Sequence, residues 1–313
     1  MFCRLAKPND IRTILRKSFS ISSQVKNNHH HPHHQHPVHH PPHKVTVLGA
    51  GGAVSQPLSL LLKTSSKVGK LCLYDVDHTP GVAADLSHID TKTVVTGYLG
   101  TEQLEPCLTK SDVVLITAGI PRKPGMTEDE QFNTNAGIVK DLVSAIGDFC
   151  PKAMICIITN PECSVTKLVV PVVGGNSGIT IVPLISQTIP PVDLSQEERK
   201  KITQKLQNAD TEIMETKAGT GSATLSMAHA ASKFTLSLLA AIDGEEGRVE
   251  SAYVKSEETT AAYLSTPLLL GDEGIVKNLG LSNLDEFETE LVKAAISELT
   301  RNIQKGIDYA NKS

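Results

Sequence analysis

The chain has 313 residues, 30 Lys and Arg against 34 Asp and Glu for a net charge of -4, and is 40% hydrophobic. That length and balance fit a soluble protein with two core-bearing lobes, and they exclude a basic nucleic-acid-binding domain. No apolar run reaches the roughly 18 residues of a membrane span.

In chain order, residues 1–28 come first, with Arg4, Lys7, Arg12, Arg16, Lys17 and Lys26 against the single acid Asp10, and serines at 18, 20, 22 and 23. This Arg-rich, Ser-rich, acid-poor stretch reads as a mitochondrial presequence with the matrix as destination. Residues 29–43, HHHPHHQHPVHHPPH, hold nine of the twelve histidines among prolines. Such a tract has nothing to bury and predicts a disordered spacer, with metal binding as the alternative. The six cysteines form no CxxC pair. They read as reduced thiols, and no metal site is expected.

Residues 44–165 alternate short apolar runs with helix-length segments: VTVLGA, KLCLYDV, TVVTGY, DVVLITAG and AMICIITN. That grammar predicts an α/β lobe of the Rossmann type, a doubly wound parallel sheet. Residues 166–313 form a second α+β lobe, opening with the hairpin Val169 to Ser186 and continuing in amphipathic stretches around 196–217, 222–242 and 284–309. In the first lobe VLGAGGAVSQPL sets a glycine turn between strand and helix. Gly49 and Gly52 there allow backbone amides to approach a pyrophosphate. Asp75, ending the next strand 26 residues on, is placed to accept ribose hydroxyls and repel a 2′-phosphate, so NAD is expected over NADP.

The stretches LYDVDHTPGVAADLSHI, GYLGTEQL, AGIPRKPGMTEDEQFNTNAGIV, AGTGSATLSMAHA and STPLLLGDEGIVKNLG resemble the mitochondrial-type malate dehydrogenases over nearly all of 44–313. The resemblance implies hydride transfer between NAD and malate or oxaloacetate, and a homodimer. It also implies that Asn135 and Met227 line the NAD site and that Asn160 touches both NAD and substrate. Arg122 would pair with the distal substrate carboxylate.

Three departures from that family's pattern bear on catalysis. Gly-Gly-His-Ala-Gly at the hairpin tip is here Gly174, Gly175, Asn176, Ser177, Gly178, and an amide exchanges no proton near neutral pH. The second arginine of the PRKPGMTEDEQF loop is Glu128, whose charge would repel a dianionic substrate. Between Leu168 and Val169 the family carries roughly forty further residues, by the resemblance. They include a sixth sheet strand, the aspartate that orients the histidine and an arginine for the proximal carboxylate. Ala53 and Ser55 also stand at family glycines, a change expected to weaken NAD binding.

These features predict a malate dehydrogenase homologue that is catalytically dead or severely impaired, still able to bind NAD. Two alternatives stay open. One is an active enzyme whose sequence here is a splice form or faulty gene model, and the other is a non-enzymatic structural protein.

Overall fold

The computed structural model describes residues 42–120, 126–158, 170–218 and 221–312. Arg122, Asn160, the junction of Leu168 with Val169, the presequence and nearly all of the histidine tract lie outside them. The strands β1 (His43–Leu48), β2 (Val68–Asp75), β3 (Val94–Leu99), β4 (Val113–Ile116) and β5 (Met154–Ile157) form one parallel sheet in the order β3-β2-β1-β4-β5. The helices α1 (Ser55–Lys63), α2 (Thr79–Ser87), α3 (Leu104–Leu108) and α4 (Glu128–Phe149) make the crossovers.

The continuous apolar runs follow from burial on both faces. Val45, Val47, Leu71, Leu73, Val113 and Leu115 point to one face, and Leu48, Cys72, Tyr74, Val114 and Ile116 to the other. The second face packs on α3 and α4. Cys72, Cys107, Cys150 and Cys156 are buried free thiols.

The second sheet is antiparallel, with β6 (Val172–Gly174), β7 (Ile181–Pro183), β8 (Val249–Lys255), β9 (Tyr263–Gly271) and β10 (Gly274–Asn278). The expected hairpin is β6 and β7, paired through Val173 and Val182. Three long helical stretches appear as α5 (Gln196–Gln207) with α6 (Ala209–Thr216), α7 (Leu225–Ile242) and α8 (Glu286–Lys312). α8 covers this sheet with Val292, Ala295 and Leu299, spaced to fall on one helical face.

α7 belongs to the C-terminal half, yet Ala228, Ala231, Phe234, Leu238 and Leu239 pack in one core with the first sheet and with Ala252 and Leu268 of the second. It therefore packs on α1 of the first lobe and on the second sheet. Its 18 residues have a mean hydropathy of 1.3, long and apolar enough to cross a membrane by composition, which corrects the reading that no run reaches that length. Since 61% of it is buried inside the protein, it serves as a core helix.

A second correction concerns His43, assigned above to the spacer. It is the first residue of β1 and is buried, so the folded lobe begins one residue earlier than expected.

Candidate functional site

In a sheet of this order, a ligand crevice opens where neighbouring crossovers diverge, between the C-terminal ends of β1 and β4. The glycine turn lies there. Gly49 has φ +94°, and a Cβ on it would come within 2.5 Å of the Ala118 amide nitrogen, so only glycine allows the turn to close on the end of β4. Gly51 donates its amide to Asp75 Oδ2 at 2.9 Å, and Val76 donates to Oδ1 at 2.7 Å. Each carboxylate oxygen accepts more than one donor, which leaves capacity for a ribose diol.

The helix that follows is prepared for an anion. α4 and α5 both start with a full capping box, Thr127 with Glu130 and Ser195 with Glu198. α1 instead starts at Val54 with no side-chain cap and has no acid in its first turn. The Ser55 and Gln56 amides both donate to the Gly52 carbonyl and Pro57 has no amide proton, so what α1 offers an anion is its positive dipole end behind a turn where Gly52 and Ala53 are exposed. The residues present thus fit a dinucleotide's pyrophosphate and ribose.

Ser55, at the third glycine position, is 1% exposed. Its Oγ donates to the Gly49 carbonyl at 2.6 Å and lies 2.8 Å from Thr117 Oγ1, so the side chain turns into the protein and away from the open turn. The sequence reading did not single out Thr117, whose hydroxyl also donates to the Leu48 carbonyl at 2.9 Å. A polar residue directly after the buried run VVLI was the available signal.

Asn135 sits on α4 beside the end of β4. Its Oδ1 accepts from the Ile120 amide at 2.8 Å, and its Nδ2 donates to the Ile120 carbonyl at 3.3 Å. It fixes the chain leaving β4 at the crevice. Met227, in the first turn of α7, is 1% exposed and packs in the core shared by the two sheets. Burial raises the carboxyl of Asp210 above its usual range, and this group accepts a hydrogen bond from the Ala223 amide just ahead of α7. Asp210 thereby braces the start of α7.

The hairpin tip is well formed. Gly174 has φ +91°, Gly175 donates to the Thr180 carbonyl at 2.6 Å, and Thr180 Oγ1 both donates to the Ser177 carbonyl and accepts from its amide. A Cβ on Gly175 would meet Thr180 Oγ1 at 2.4 Å and Leu299 of α8 at 2.8 Å. The glycine pair is therefore needed to raise half-buried Asn176 to the tip. Ten residues further along α8, about 15 Å, Tyr309 donates to the Asn133 carbonyl at 3.2 Å and stacks edge-on against Phe132. α8 thus ties the hairpin to the start of α4, where Glu128 occupies the first helical position.

The other described histidines lie elsewhere. His43 begins β1, His78 caps α2 beside Asp77, His88 ends α2 exposed, and His229 is on α7 facing a groove with Lys67 and Lys233. Among the described residues no group of three or more His, Cys, Asp or Glu is placed to hold a metal ion.

Family models match the lactate/malate dehydrogenase NAD binding domain over residues 43–177 and the lactate/malate dehydrogenase alpha/beta C-terminal domain over 156–310. The mitochondrial malate dehydrogenases of Pongo abelii and Homo sapiens are 47% and 46% identical to the chain, covering 99% of it and 98% of each relative. These alignments run over 351 positions against 313 residues, so at least 38 positions, the difference of the two lengths, meet no residue here.

Among solved structures, apo malate dehydrogenase from Picrophilus torridus has a TM-score of 0.72 at 22% identity, covering 86% of this chain and 99% of that one. Lactate dehydrogenase from Eimeria maxima with NADH and oxamate has 0.72 at 23%, covering 88% and 97%. These two likenesses bear on the fold. Glycine turn, acidic strand end, two-sheet architecture and near full-length identity converge: the chain belongs to the lactate/malate dehydrogenase family and carries its NAD-binding and C-terminal domains.

Proposed function

We propose that this protein is a mitochondrial-matrix malate dehydrogenase homologue that binds NAD at the β1–α1 turn and turns over malate and oxaloacetate extremely slowly or not at all. The observation that carries this reading is Asn176, raised on an intact glycine hairpin at the position where the family has its proton-transfer histidine. The amide can donate to or accept from a substrate oxygen but cannot take the hydroxyl proton.

NAD, when bound, supplies the hydride acceptor. This chain's own residues do the rest: the glycine turn and the positive end of α1 hold the pyrophosphate, Asp75 the ribose, and Asn135 fixes the exit of β4. Arg122 would hold one substrate carboxylate and Asn160 the substrate with the nicotinamide end. We assign 1–28 to a presequence, 43–165 to the NAD-binding lobe and 166–313 to a shortened C-terminal lobe, with a homodimer as the assembly.

A second reading, an active enzyme represented by an incomplete sequence, is favoured by the unmatched positions of the alignments. It leaves Asn176 and Glu128 unexplained, since both lie outside the missing block. A transcript with an in-frame insert between Leu168 and Val169 would support it.

The purified chain should bind NADH saturably, read by nicotinamide fluorescence, and show no oxaloacetate-dependent NADH oxidation above background. Loss of a general acid/base alone costs about 10²- to 10⁴-fold. Turnover within tenfold of an ordinary value near 10 per second would overturn the proposal.

A further inference from the structure

His43 joins the end of the histidine tract to the first strand of the fold. Its Nε2 lies 2.8 Å from Asp243 Oδ1 and its Nδ1 3.6 Å from Asp112 Oδ2, with the side chain 8% exposed. Asp112 stands just before β4 and accepts the Lys44 amide at 2.8 Å. Asp243 ends α7, 200 residues away in sequence, and also holds Lys67 Nζ at 2.9 Å. Beyond it Lys67 reaches Glu245 at 2.7 Å, and Glu245 pairs with Arg248. The Lys44 ammonium is turned to the carbonyls of Cys107 and Thr109. The ring therefore faces two carboxylates, with Lys67 behind one of them.

A neutral imidazole has one N–H: it satisfies one carboxylate and turns a lone pair toward the other. An imidazolium has two and suits both. We propose that His43, Asp112 and Asp243 form a proton-dependent latch that ties the C-terminal end of α7 to the N-terminal edge of the parallel sheet. It is closed by the imidazolium and weakened when the ring is neutral. The latch acts on the helix that packs on α1 and the second sheet and carries Met227 about 24 Å away towards its other end.

The charge balance agrees with this. The Asp112 carboxylate facing the ring raises the His43 pKa above 6.5, burial opposes the rise, and the hydrogen bond to Asp243 adds to it. Burial works against ionising the two carboxyls, but the nearby His43 ring, with Lys67 for Asp243 and the Lys44 amide for Asp112, holds both below the usual range. The sign follows from linkage. A histidine whose folded pKa is raised contributes stability that is complete below 6.5, the unfolded value, and is lost as pH rises through the folded value. The carboxylates' share is complete above 3.8 and is lost as pH falls through their lowered values.

The test is thermal unfolding of the full chain from pH 5.5 to 9, for wild type, His43→Gln and Asp243→Asn. The wild-type midpoint should fall by a few °C more than that of either variant as pH rises above 6.5. Amide exchange at the last turn of α7, corrected for the intrinsic pH effect, should quicken over the same range in wild type only. If a variant does not fold, the proton NMR titration of His43 in wild type decides, with a midpoint above 6.5 expected. Superimposable pH profiles for wild type and His43→Gln, or a His43 midpoint at or below 6.5, would overturn the latch.

Discussion

Ser55→Gly restores the family's third glycine, and its effect separates two roles for the serine. If Ser55 obstructs the cofactor, the change should tighten NAD binding. If the hydroxyl braces the turn, the change should cost stability and leave affinity alone. The geometry favours bracing, because Oγ bonds the Gly49 carbonyl at 2.6 Å and Thr117 Oγ1 at 2.8 Å in a buried position. Both partners keep another bond, Gly49 O from the Gly52 amide at 3.2 Å and Thr117 Oγ1 to the Leu48 carbonyl. The hydroxyl is therefore worth about one net hydrogen bond, roughly 1 kcal/mol. Glycine in place of a side-chain-bearing residue in the helix adds about 0.5–1 kcal/mol. The sum, near 2 kcal/mol, corresponds to a fall of about 4–8 °C in Tm. Differential scanning fluorimetry measures that fall, and titration with NADH measures affinity, expected to stay within about threefold. A tenfold gain in affinity, about 1.4 kcal/mol, with an unchanged Tm would refute the bracing account.

Glu288 is fully buried, accepts from the Ser186 amide and hydroxyl at 2.8 and 2.7 Å, and pairs with Arg199, which also bonds Asp285. Glu288→Ala should lower stability in urea unfolding by about 1–3 kcal/mol, since Arg199 loses one of its two carboxylate partners while keeping Asp285, and the exposed Ser186 can turn its donors to water. Gly49→Ala forces a Cβ to 2.5 Å from the Ala118 nitrogen at φ +94° and should give a chain that unfolds by circular dichroism or loses NADH binding entirely. Asn176→His alone should leave malate oxidation at background, because the imidazole would lack an orienting carboxylate and a substrate held beside it. Recovery of even a few per cent of an ordinary malate dehydrogenase turnover would show that the other departures are tolerated.

The elements read from sequence were those whose signal is local. All five strand runs of the first lobe lie in the parallel sheet, and the β-branched hairpin folds as read. The site was legible in part, since Gly49, Gly52 and Asp75 announce themselves by residue type and by their place after a strand. Ser55 read as a worn glycine, and only its bonds to Gly49 and Thr117 show the hydroxyl supporting the turn. Asn135 carried a cofactor role by resemblance, and only the fold shows that its amide also holds the Ile120 amide and carbonyl.

What the sequence by itself determined is the alternation that buries strands on two faces, the glycine turn with its acid, and an amide where a proton donor is expected. Each depends on residues within a few positions of one another, or on side-chain chemistry that no fold changes. Tertiary structure alone decided that α7 packs between α1 and the second sheet and that His43 belongs to the folded lobe. In the sequence His43 is one more residue of a polar tract, and nothing near it names Asp243 as its partner. A buried ring needs a polar partner, and here the chain supplies it from 200 residues away, at the end of a helix whose position is set by apolar packing against α1 and the second sheet.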